Sequence, residues 1–99
     1  MEITFDAQLW IWPGNGSWHF VSVPADAADE IEARFGSTAG GFGSIKVQVR
    51  IGLSQWSTSL FPSTAEKTYV LPVKKAVRTA QGVGDGDTVT VHLTIGDPG

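Results

Sequence analysis

Phe20-Val21-Ser22-Val23-Pro24 and Tyr69-Val70-Leu71-Pro72-Val73 decide the fold. Each is a short run of β-forming side chains that meets a proline. Proline cannot donate to a strand ladder but suits the first turn of a helix. Each run therefore reads as a strand that hands over to a helix. After Pro24 a helical pattern places Ala28, Ile31 and Phe35 on one face and stops at Gly36, read as a left-handed cap. Its first two turns hold Asp26, Asp29 and Glu30, which suit the positive end of the helix dipole. After Pro72 a shorter pattern puts Val73, Ala76, Val77 and Ala80 at i, i+3, i+4 and i+7 and is capped by Gly82, so the second helix is expected over 72–81.

Strands flank both units. Ile3, Phe5, Ala7, Leu9 and Ile11 alternate with Thr4, Asp6, Gln8, Trp10 and Trp12, which predicts one strand with a single buried face. Pro13-Gly14-Asn15-Gly16 is a turn, and residues 18–23 form the next strand. A glycine-rich connection over 37–43 leads to the alternating strand Ile45, Val47, Val49, Ile51. The second half repeats the order. Trp56, Thr58 and Leu60 alternate up to Pro62, expected to end its strand. A polar turn covers 63–67, and a short strand covers 68–71. Gly84-Asp85-Gly86-Asp87 is a turn into Val89, Val91, Leu93 and Ile95, and the tail at 96–99 is expected to be loose.

The chain is thus written twice as ββαβ, in halves of about 1–53 and 54–95, with Pro24 and Pro72 as matching landmarks. Neither unit can bury its own apolar face. Together they predict one domain over 1–99: a mainly β (α+β) architecture, a closed six-stranded barrel with two short helices.

Composition agrees with one globular domain. A chain of 99 residues, 41% hydrophobic and 17% charged, buries roughly two-thirds of its unfolded surface. There is no cysteine, so disulfides, thiolate metal sites and a cysteine nucleophile are excluded, and a reducing cytoplasm is the expected compartment. A formal net charge of −3 argues against nonspecific nucleic-acid binding. No apolar run approaches the roughly 20 residues of a membrane span, and the start Met1-Glu2-Ile3-Thr4 lacks the basic region of a signal peptide.

Ser59-Leu60-Phe61-Pro62, the run from Tyr69-Val70-Leu71-Pro72-Val73 through Lys74-Lys75-Ala76-Val77-Arg78, and Gly86-Asp87-Thr88-Val89 resemble DUF1905, a family of small bacterial and archaeal domains of unknown function. Residues 9–24, with Trp18, Phe20 and Val21, resemble its first-half motif. The resemblance implies a double-psi-like β-barrel and no established activity. In that family the domain also occurs fused to a C-terminal helical domain linked by name to bacteriocin protection.

Several side chains are candidates for chemistry. Lys74 and Arg78 share a face at the start of the second helix, where cations oppose the dipole. They make either an anion site or a solvated face paired with Glu66 or Asp87. Ser59 could be activated by Lys74, but no G-x-S-x-G elbow surrounds it, and Ser57 and Thr58 suggest ordinary strand hydroxyls. His19 and His92 have no metal-ligand spacing and read as hydrogen-bonding strand residues. Trp10, Trp12 and Trp18 cluster about the 13–16 turn, either as a ligand or partner surface or as rings that plug the barrel ends. Gly84-Asp85-Gly86-Asp87 lacks the spacing of a calcium loop.

The leading expectation is a non-enzymatic binding or interaction module for an anionic small molecule or acidic peptide. Its candidate residues are Lys74, Arg78, Ser59, Trp18 and His19, with no catalytic residue, metal or cofactor assigned. Two alternatives stand beside it: a small hydrolase or lyase using Ser59, Lys74 and His19, and an assembly module joined through Trp10 and Trp12. The protein is expected to be a monomer or homodimer.

Overall fold

The computed structural model describes residues 1–14 and 16–96. Asn15, inside the expected 13–16 turn, and the expected loose tail at 97–99 lie outside the described residues. The elements follow the doubled order. The first half comprises β1 (Glu2–Gln8), β2 (Trp10–Ile11), β3 (His19–Ser22), α1 (Ala25–Phe35) and β4 (Ile45–Ile51). The second comprises β5 (Ser54–Ser63), β6 (Thr68–Pro72), α2 (Lys75–Gln81) and β7 (Thr88–Ile95).

All ladders are antiparallel, in the order β1-β7-β4-β5-β6-β3-β2. Alternation sets the two faces: Ile45, Val47, Val49 and Ile51 are buried while Lys46, Gln48 and Arg50 are exposed. The inner face, with Ile31 of α1 and Val77 of α2, encloses a single apolar core.

The expected closed six-stranded, double-psi-like barrel is corrected on strand count and closure. The sheet has seven strands and curls into a half-barrel. The expected first strand breaks at Leu9, whose N–H donates to Asp87 O while its own carbonyl accepts from Gly86 N. Before Leu9 the chain pairs with β7, and after it with β3. β1 and β2 therefore stand at opposite ends of the strand order, bridged only by the chain at Leu9. β5 changes partner in the same way: Leu60 is its last residue paired with β4, and Phe61 its first paired with β6. Leu9 and Leu60 are both sealed in the core, 1% and 0% exposed.

The halves are related by a pseudo-twofold whose register differs from the one the prolines suggest. Val23 N–H donates to Tyr69 O and Val73 N–H donates to His19 O, so 23 corresponds to 73 and 19 to 69. Ala28 N–H donates to Pro24 O and Arg78 N–H to Lys74 O, so Pro24 corresponds to Lys74. Pro72 closes β6 and faces Phe20 across the ladder. Pro24 and Lys74 precede the helices, and α2 starts at Lys75 rather than Pro72.

Other local expectations also change. Gly36 is right-handed (φ −58°, ψ −37°), because the chain tightens into a 3₁₀ turn over Gly36–Thr38 instead of stopping. Gly82 is the left-handed cap expected (φ 66°). Pro62 does not end its strand, which continues to Ser63 with Pro62 opposite Tyr69. Among the described residues no helix is long and apolar enough to cross a membrane.

Candidate functional site

A groove of about 870 Å³ opens beside the start of α2. β6 lines it with Val70 and Pro72, and three other stretches supply its rings and cations. The β2–β3 segment brings Trp12, Trp18 and Phe20, β5 brings Trp56 and Phe61, and α2 with its preceding residue brings Lys74, Lys75 and Arg78. Among the described residues no carboxylate lines it. The aromatic wall holds itself together: Trp12 and Phe20 lie 5.5 Å apart, and Trp10 stacks on Phe20 at 5.2 Å behind them. Trp10 Nε1–H donates to Ser22 Oγ, which in turn donates to Glu66, so Trp10 is fixed in place. Trp18, by contrast, is 55% exposed at the mouth.

Arg78 ties the groove together. Its Nε–H donates to Val73 O at 3.2 Å, one Nη–H donates to Ser17 O at 3.5 Å, and the other Nη faces His19 Nε2 at 3.5 Å. His19 Nδ1 faces Ser17 O at 3.4 Å, an acceptor only. The matching tautomer puts the proton on Nδ1 and the lone pair on Nε2, toward the guanidinium. Arg78 thus clamps the segment carrying Ser17 and Trp18 onto α2. Lys74 and Lys75 are exposed and make no side-chain bond among the described residues. The expected partners are engaged elsewhere: Glu66 accepts from Ser22, and Asp87 accepts from Gly84 N–H at 2.8 Å.

The structure brings Trp18, His19, Lys74 and Arg78 into this groove and leaves Ser59 outside it. Ser59 stands opposite Lys46 on the β4–β5 ladder and lines a different cavity with Phe35, Thr38 and Thr94. It makes no hydrogen bond to Lys74 or His19 among the described residues. Reasoning from sequence missed Trp56 and Phe61 as lining residues. Their signal was slight: Trp56 leads an alternating strand, and Phe61 follows the change of partner at Leu60.

The pseudo-twofold puts Tyr69 where the other half has His19. Burial pushes the Tyr69 phenol above its ordinary 10.0, and the charge of Glu32 adds to the rise. A group whose pKa is raised on folding contributes stability below its unfolded pKa and loses it as pH climbs through the folded value. The unfolding temperature should therefore fall as pH rises past about 10. Tyr69→Phe should flatten that limb in thermal melts across the alkaline range. An unchanged limb in the variant would show that the tyrosine does not contribute. Tyr69 is the chain's one tyrosine, so phenolate absorbance follows it alone.

A family model described as "Domain of unknown function (DUF1905)" matches residues 5–93. A comparison with curated proteins finds no match.

Proposed function

Because the chain belongs to the DUF1905 family, whose description assigns no function, we propose from the groove's geometry that it is a binding module for a flat, apolar small molecule carrying a carboxylate or similar anion. Charge carries the proposal: Lys74, Lys75 and Arg78 line a groove with no carboxylate among the described residues, and Trp12, Trp18, Phe20, Trp56 and Phe61 give the rest of its wall a strongly aromatic share. A flat ring can lie against Trp12, Trp18 and Phe61, which offer large, rigid contact area at low entropic cost. The anionic end then meets cations that have no partner acid among the described residues. Lys74 and Lys75 do the pairing, while Arg78 mainly positions Trp18 and His19.

The test uses 2-naphthoate, its neutral analogue 2-naphthalenemethanol and an acidic hexapeptide. 2-Naphthoate should raise the unfolding temperature and quench tryptophan fluorescence saturably. The alcohol should bind at least about tenfold more weakly, the equivalent of one lost charge contact. Lys74→Glu with Lys75→Glu should abolish the naphthoate response. It should leave the unliganded protein folded, since acids suit a helix start. Silence from 2-naphthoate overturns the proposal, and a response to the hexapeptide alone replaces it with peptide docking.

A further inference from the structure

We propose that a second cleft, beside Tyr69, binds a guanidinium-bearing small molecule. The pseudo-twofold that pairs His19 with Tyr69 also pairs Arg78 with Ala28. In one half the Arg78 guanidinium occupies the space next to His19. In the other the equivalent side chain is only a methyl group, and a cleft of about 380 Å³ opens there. Even the carbonyl that Arg78 serves has a substitute: Val73 O accepts from Arg78, whereas Val23 O accepts from Thr68 Oγ1 at 2.7 Å.

The chemistry of this cleft is the reverse of the groove's. Asp29 and Glu32 line it from α1, against the single cation Lys67. Tyr69 is 7% exposed, and its hydroxyl makes no hydrogen bond among the described residues. Among those residues no side-chain nitrogen or oxygen is sealed from solvent without a partner. The hydroxyl of this nine-tenths-buried side chain therefore opens onto the cleft as a free acceptor. Small residues keep the space open. A Cβ at Gly36 would come within 3.3 Å of Glu32 Cγ, and one at Gly43 within 3.1 Å of Pro62.

A guanidinium matches what is presented. Its fixed fork of N–H donors suits carboxylates, and a remaining N–H can reach the phenol oxygen. The ligand would thereby restore, from outside, the guanidinium that Ala28 omits. Two carboxylates outweigh Lys67, which opposes the cation and moderates its affinity.

The experiment is an amide NMR titration of the full chain with methylguanidinium chloride against matched sodium chloride. Saturable shifts should centre on residues 28–36 and 67–69, with a dissociation constant of about 1 mM or tighter. Tyr69→Phe should weaken binding about three- to tenfold, the worth of one hydrogen bond. At neutral pH it should leave the unliganded melting temperature unchanged or raised, because the hydroxyl has no partner among the described residues. Glu32→Gln, at an exposed helix position, should weaken binding at least about tenfold. Lys67→Asn, which suits the positive φ of 57° there, should tighten it. Shifts that never saturate overturn the proposal, as do shifts unaffected by Glu32→Gln and Tyr69→Phe. Equal binding of methylammonium overturns the guanidinium assignment, and binding of N-acetylarginine amide without methylguanidinium overturns the small-molecule one.

Discussion

Leu60→Ala should cost about 2–5 kcal/mol of folding stability, a large share of the roughly 5–15 kcal/mol that holds a domain of this kind. Leu60 is 0% exposed and sits where β5 leaves β4 for β6. Truncation there removes packing at the corner that two ladders share, and the surrounding strands cannot close the gap without breaking register. The unfolding temperature should fall by about 10 °C or more. Leu9→Ala, at the corresponding corner of the first half, should behave alike. Leu53→Ala is the control: the same atoms are removed at a position 98% exposed, and the change should stay within about 0.5 kcal/mol. Denaturant melts of the three variants give the comparison. A Leu60→Ala loss below about 1 kcal/mol would mean that the corner collapses freely and carries no special packing.

Arg78→Ala should cost about 1–3 kcal/mol, because one truncation removes charged bonds to Val73 O and Ser17 O and the contact with His19. The carbonyl of buried Val73 then loses its side-chain donor, and the segment bearing Trp18 is released from α2. Tryptophan emission should shift to longer wavelength as the groove wall opens. Arg78→Lys should not rescue it, since one ammonium cannot reproduce a planar fork spread over separate acceptors. Thermal melts and emission spectra of both variants decide the matter. An Arg78→Ala protein with wild-type stability and emission would show that the clamp is incidental. This strain on folding is why Lys74 and Lys75, rather than Arg78, are the residues to change in ligand tests.

The strands were legible wherever alternation is strict. Ile45–Ile51 and Thr88–Ile95 appear as read because every second side chain is buried. The break at Leu9 was invisible for the same reason: alternation runs through it unchanged, and only a change of partner marks it. Proline misled twice. Pro62 lies inside a strand, and Pro72 precedes α2 by more residues than Pro24 precedes α1. Local sequence signals proline's intolerance of a ladder, whereas the ladder's register depends on the strand opposite.

The groove was partly legible. Lys74 and Arg78 are close in sequence on one helix, and Trp18 and His19 are adjacent on one strand, so two local signals needed only one tertiary contact to meet. Ser59 illustrates the opposite case. Its hydroxyl chemistry was visible, but nothing in a Ser-Thr-Ser strand tells which cavity each side chain lines. The acidic cleft left no sequence trace. Tyr69 and Glu32 come together only because the halves interlock, and its decisive residue, Ala28, matters for the atoms it lacks.

The pairing of β1 with β7 also bears on how the chain is made. Residues 2–8 leave the ribosome before every other strand of this sheet, yet their ladder partners at 88–94 follow all the others. The N-terminal amine itself donates to Ile95 O at 2.8 Å. Until β7 has emerged, β1 has an unsatisfied edge and a half-covered apolar face, a state open to misassociation. Sequence-distant closure of this kind also slows folding once the chain is free. The strand that is born first is the one that must wait longest.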